Sequence, residues 1–227
     1  MISGKPFRGL TAGLFLLAVA AGAGLVMAQD KSAATPARHP VAELLMAERL
    51  ARYGEQTQDP LALITAARIK QQTGERAAKR EFQASGGQGD AAAKARPDTS
   101  VQALLSRAKT MAKGRADIIA LANEVETSRT RGRLEGPHVA TTVIRGGAVN
   151  TASMQFEGGA LAVVGISGDG ATDLDLYVID EAGKRICAAE GNGDDEICRF
   201  TPRTTGTYKV EIKNLGKVAN QYLFVSN

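Results

Sequence analysis

The spacing of apolar residues changes once along this chain, from a helical repeat to an extended one. Val41, Leu44 and Leu45 open a stripe at three- and four-residue intervals, with Pro40 suited to a first helical turn and Gly54 to a helix end. Asp59 is placed to cap a second helix, with Pro60 at its first position and Leu61, Ile64, Ala67 and Ile69 on one face. Residues 40–84 therefore predict a helical hairpin. Residues 85–99, SGGQGDAAAKARPDT, have linker composition. Over 100–128 the helical period returns, through Val101, Leu104, Leu105, Ala108 and Met111, then Ile118, Leu121, Ala122 and Val125. The stripe passes Gly114 in register, so it fits one long helix or two helices folded back at that glycine. No repeat consensus aligns the two helical units, and together they read as a small bundle.

A basic, glycine-containing boundary covers 129–136, and from 137 to 227 the period becomes two. Strands are expected at 139–144, 149–156, 161–167, 173–179, 185–189, 196–201, 208–213 and 220–225. Turn sequences such as RGG, SGDG, DEAGK and EGNGDD separate them. In TYKVEIK, Tyr208, Val210 and Ile212 alternate with Lys209, Glu211 and Lys213, as in a strand with one dry face and one wet face. Short strands at this spacing build a β-sandwich or barrel. The expected fold class is α+β in two parts: a small helical N-terminal region followed by an all-β sandwich.

The first residues change the picture of where this fold works. Lys5 and Arg8 precede an uncharged apolar run, and Val26 and Ala28 are small residues at cleavage spacing. Residues 1–28 are read as a signal peptide cleaved near Ala28, followed by a disordered stretch over 29–39. The mature chain is then periplasmic or secreted, with no membrane span. In such a compartment the two cysteines, Cys187 and Cys198, read as a disulfide. Charge is uneven: residues 29–135 hold 18 basic and 13 acidic side chains, residues 136–227 hold 8 and 11. Export argues against nucleic acid as the partner of the basic part. An aromatic content of 4% without Trp argues against stacked-ring platforms for bases or sugars.

Candidate chemistry is sparse. Asp169, Asp173 and Asp175 are hard-oxygen donors close in sequence, the type that calcium takes. Read structurally instead, they face solvent, cap turns and keep an edge strand from pairing with other chains. Asp194, Asp195 and Glu196 form a second acidic group between the cysteines, a binding tip or a solvated hairpin. Asn214, Gly216 and Asn220 read as turn residues. The two histidines, His39 and His138, sit in no H-E-x-x-H arrangement, and Ser167 in GISGD misses the G-x-S-x-G elbow. No catalytic constellation emerges.

The segments GISGDGATDLDLYVIDEAGKRI and TGTYKVEIKNLGKVANQYLFVSN, in that order around a Cys-containing hairpin, resemble the bacterial pre-peptidase C-terminal domain family. The resemblance covers about residues 140–227. It implies a jelly-roll-like sandwich on an exported bacterial protein, an accessory module of a kind that often follows secreted peptidases, some relatives of which bind calcium or extracellular polymers. Upstream there is room only for about a hundred helical residues and not for a peptidase. The expected function is a non-catalytic binding or accessory role toward a protein or an envelope polymer, with calcium as the candidate ion. The alternatives are a structural or spacer protein of the envelope and a regulator of a separately encoded peptidase.

Overall fold

The computed structural model describes residues 39–128 and 136–227. The expected signal peptide, the stretch 29–38 and residues 129–135 of the basic boundary lie outside the described residues. Four helices come first: α1 (Pro40–Thr57), α2 (Pro60–Thr73), α3 (Val101–Met111) and α4 (Ala116–Thr127). The starts of α1 and α2 follow from local chemistry. The Nδ1 atom of His39 accepts from the Val41 amide at 3.3 Å, and Asp59 Oδ1 accepts from the Leu61 and Ala62 amides at 2.9 and 3.3 Å. The α1 helix does not end at Gly54. Leu63 of α2 packs directly over that position, so glycine there serves a close helix crossing, and the turn falls at Gln58 with a φ of 55°. At Gly114, with a φ of 84°, the chain folds back, giving two helices over 100–128 rather than one. Ala47, Ala51, Leu63, Leu104, Leu105, Ala108, Ile118 and Ala122 fill the interior between the helices. The many alanines let the axes approach closely.

The strands are β1 (Arg76–Ala77), β2 (Gln83–Gly86), β3 (His138–Ile144), β4 (Ala148–Phe156), β5 (Ala162–Ser167), β6 (Leu174–Ile179), β7 (Arg185–Ala189), β8 (Asp195–Phe200), β9 (Gly206–Asn214) and β10 (Asn220–Ser226). They form two five-stranded sheets, β1-β3-β10-β5-β8 and β2-β4-β9-β6-β7, packed as a sandwich. Inward residues alternate along each strand: Met154 and Phe156, Val164 and Ile166, Leu174, Leu176 and Val178, Tyr208, Val210 and Ile212, Tyr222 and Phe224. Cys187 and Cys198 are bonded, their Cα atoms 5.9 Å apart, and so tie β7 at the edge of one sheet to β8 at the edge of the other.

Two features join the helices to the sandwich. Val41, Leu44 and Leu45 of α1 lie on the outer face of β5 and β10, against Val163, Leu223 and Val225. Gly165 of β5 makes this contact possible, because a side chain there would overlap Leu45. The second feature is the segment from Glu75 to Thr99, where the sequence suggested the end of a hairpin and a linker. It forms a strap instead. β1 pairs in parallel with β3, β2 pairs antiparallel with β4, and Phe82 between them sits edge-on to Tyr222 and Phe224 with ring centroids 5.9 and 5.5 Å away. The strap then crosses one end of the sandwich. The Gly89 amide donates to the Gly146 carbonyl at 3.1 Å, and the Arg96 amide donates to Gln221 Oε1 at 2.7 Å. Its glycine-rich composition reflects close approach as much as freedom: a Cβ at Gly89 would overlap the Lys217 carbonyl oxygen and lie 2.8 Å from Gly146 Cα.

Candidate functional site

The three aspartates suggested as calcium ligands are not gathered around one point. Asp169 Oδ1 accepts from the Ala171 amide and its Oδ2 from the Gln221 amide, both at 2.9 Å. Asp175, on the outward side of β6, accepts from the Tyr177 hydroxyl at 2.7 Å. Asp173 alone keeps a buried oxygen, Oδ1, without a partner among the described residues. Among the described residues no three His, Cys, Asp or Glu side chains group as a metal ion requires. Protein donors hold two of the three carboxylates.

The second acidic group behaves in three different ways. Asp194 Oδ2 accepts from the Gly170 amide at 2.5 Å and from Asn220 Nδ2 at 3.1 Å, and so locks three loops together at one end of the sandwich. Asn220 is fully buried and is more than a turn residue: its Oδ1 accepts from the Asp169 amide at 3.2 Å. Asp195 pairs with Arg52 and, at 3.2 Å, with Arg49, both from α1. Glu196 accepts from the Gly191 amide at 2.8 Å, yet burial holds its carboxyl above the usual range.

Sequence reasoning missed the ionic joint between helices, strap and sandwich. Glu48 of α1, fully buried, accepts from Lys70 Nζ at 2.5 Å, from Arg96 Nη2 at 2.8 Å and from the Thr99 hydroxyl at 3.0 Å. Arg96 also donates to the Ser167 carbonyl at 2.5 Å and to the Gly168 carbonyl. Arg52 donates to the Ser167 hydroxyl at 2.7 Å and to the Gly168 carbonyl at 2.9 Å. One chain of charge-assisted bonds thus runs from the helical interior to the loop that carries Asp169. The only trace of it in the sequence is a Glu on the inward side of an otherwise apolar helical stripe.

The outer face of the second sheet is a different surface. On β6 and β9, Asp175 stands beside Lys213 and Tyr177 beside Glu211; on β4 and β9, Ser153 stands beside Lys209. The Arg185 guanidinium lies 4.0 Å from the Tyr177 ring centroid. Burial beneath that group, helped by the bond to Asp175, pushes the Tyr177 hydroxyl far above its ordinary value, so it stays a donor at any physiological pH. Arg185 also lines a groove of about 590 Å³ that reaches Phe200, Arg203 and Tyr208 at the β6–β7 turn. On this face Asp175 and Tyr177 are buried, Glu211 is half-buried, and Ser153, Lys209 and Lys213 are exposed.

The stretch from β4 to β9 is similar to a known family. Residues 150–214 match the family model of the bacterial pre-peptidase C-terminal domain. Solved structures similar to this sandwich include the pre-peptidase C-terminal domain of a collagenase from Bacillus anthracis, at 10% identity and a TM-score of 0.35, covering 39% of this chain and 87% of that one. Another is PliG, a periplasmic inhibitor of g-type lysozyme from Aeromonas hydrophila, at 13% identity and a TM-score of 0.32, covering 40% of this chain and 84% of that one. A third is the Yersinia pseudotuberculosis-derived mitogen, at 15% identity and a TM-score of 0.32, covering 41% and 86%. No curated protein matches the sequence. The pre-peptidase C-terminal domain match and the disulfide are compatible with an extracellular location. Among the described residues no helix is long and apolar enough to cross a membrane.

Proposed function

We propose that this is an exported, non-catalytic accessory protein whose sandwich holds a partner protein or envelope polymer on the outer face of the sheet β2-β4-β9-β6-β7. The observation that carries the reading is an asymmetry. Helix α1 covers the outer face of β5 and β10 in one sheet, whereas β4 and β9 of the other present Ser153, Lys209 and Lys213 to solvent, next to the buried Tyr177 of β6 and the Arg185 stacked on it. That surface continues into the groove lined by Arg185 and Arg203. The helical part acts as a brace for the sandwich and as a second contact region.

A test uses the mature chain, bound to immobilised cell-envelope fractions separated into protein and polymer. Replacing Arg185 and Arg203 together by Glu should weaken retention at least about tenfold, equivalent to ~1.4 kcal/mol, while the melting temperature stays unchanged. Unchanged retention by this variant would end the reading. The same assay in chelator decides the role of calcium. Retention is expected to persist; loss in chelator, restored by Ca²⁺ and absent in Asp173→Asn, would bring the ion back into the site. A second reading, a rigid structural or spacer protein of the envelope, is favoured by the ionic joint and the disulfide, which make the two parts one body.

A further inference from the structure

A recess of about 150 Å³ opens where α1, the strap, α3 and the Gly168–Asp169 loop meet. Its walls include Ala51, Ala95 and Pro97, and its charged lining includes Arg52, Lys94 and Arg107. The acidic side chains in the lining already have protein donors. Glu55 accepts from Arg107 Nε, and both oxygens of Asp169 accept backbone amides. The cations are not used up in the same way. Lys94 Nζ, Arg52 Nε and Arg107 Nη1 have no acceptor among the described residues, although the other nitrogens of the two arginines are bonded to Asp195, Ser167, Gly168, Glu55 and Asp98. Those bonds hold the guanidinium planes in place, so the remaining donors of the two arginines need little reordering to receive an anion.

We propose that this recess binds a small organic monoanion, a carboxylate on a compact apolar body. The uncommitted donors select the charge. The alanine and proline walls, together with the aliphatic stems of the arginines, select the body. A volume of this size accepts roughly one benzene-sized ring. A ligand seated there touches the helical part, the strap and the sandwich at once, so its binding also tightens the joint between them.

Isothermal titration and thermal melts of the mature chain test the site with benzoate as the probe, benzyl alcohol as its neutral counterpart and acetate as charge without a body. Benzoate is expected to bind and to raise the melting temperature. Benzyl alcohol and acetate should each bind at least about tenfold more weakly. Lys94→Met should weaken benzoate at least about tenfold, and Ala95→Phe, which fills the recess, should abolish it. Both side chains are exposed on the strap, so neither change disturbs the core; should Ala95→Phe fail to fold, Lys94→Met decides alone. Absence of benzoate binding at millimolar concentration overturns the proposal. So does binding that both variants retain, which would place the anion on the general cationic surface. Neither result bears on the sheet surface proposed above, which lies on residues 153–213.

Discussion

At the scale of single residues, the joint concentrates charge where water is excluded. Glu48 sits among Lys70, Arg96 and Thr99 with its oxygens fully engaged. Its neighbour Glu75 is less well served. Lys70 Nζ lies 3.1 Å from its carboxylate, but burial outweighs that attraction, and Glu48 and Asp98 add repulsion, so its carboxyl stays above the ordinary value near 4.5. An acid with a raised pKa in the folded chain holds its proton longer there than in the unfolded chain. Well below its ordinary value it is neutral in both states and affects nothing. As pH rises past that value the unfolded chain ionises first, and stability is lost up to the folded pKa. Glu75→Gln removes this loss. The variant's melting temperature should fall less than that of the parent between mildly acidic and neutral pH. A steeper fall in the variant would mean that Lys70 holds Glu75 as an ion.

At the scale of elements, each open side of the sandwich is closed by a different device. On one side Cys187 and Cys198 link β7 to β8 across eleven positions of sequence. Replacing both cysteines by serine should cost about 2–3 kcal/mol on the loop-entropy model, read as a lower urea midpoint with little change in slope. An unchanged midpoint would show that β7 and β8 are held by packing alone. On the other side the strap adds β1 and β2 to the two sheets and places Phe82 against Tyr222 and Phe224. The eight strands after residue 137 were legible because alternation and turn residues are local signals; each lies within two residues of its expected ends. The strap strands were not, because two and four residues of exposed, glycine-bearing chain carry no period of their own. They are extended only because β3 and β4 offer free edges.

At the scale of the whole molecule, the described residues from 39 onward make one body. Contacts between α1 and sheet, between strap and both sheets, and through the Glu48–Arg96 chain all involve residues on the N-terminal side of 129. Trypsin cleavage among Arg129, Arg131 and Arg133 is therefore expected to leave the two pieces associated, co-eluting at the size of the intact chain under native conditions and separating only in denaturant. Separate elution without denaturant would mean that the joint is weaker than its bonds suggest, and that the sandwich can act alone.

Residues 137–227 specified their own architecture because the information lies in neighbours two apart: dry and wet faces, turn chemistry and a pair of cysteines. The starts of α2 and α3 were set equally locally, by Asp59 and Pro60 and by Ser100, whose hydroxyl oxygen accepts from the Ala103 amide at 3.3 Å. What only the tertiary structure decided depends on residues far apart in sequence. Asp169, Asp173 and Asp175 are near one another in the chain, but backbone amides engage Asp169, the Tyr177 hydroxyl engages Asp175, and a buried Asp173 oxygen keeps no partner among the described residues. Glu48, Lys70, Arg96 and Ser167 are scattered through the sequence, and they meet because α1 docks on β5 through Leu45 and Gly165. Local periodicity decides which elements form; which side chains share a site is settled only when those elements bury their faces against one another.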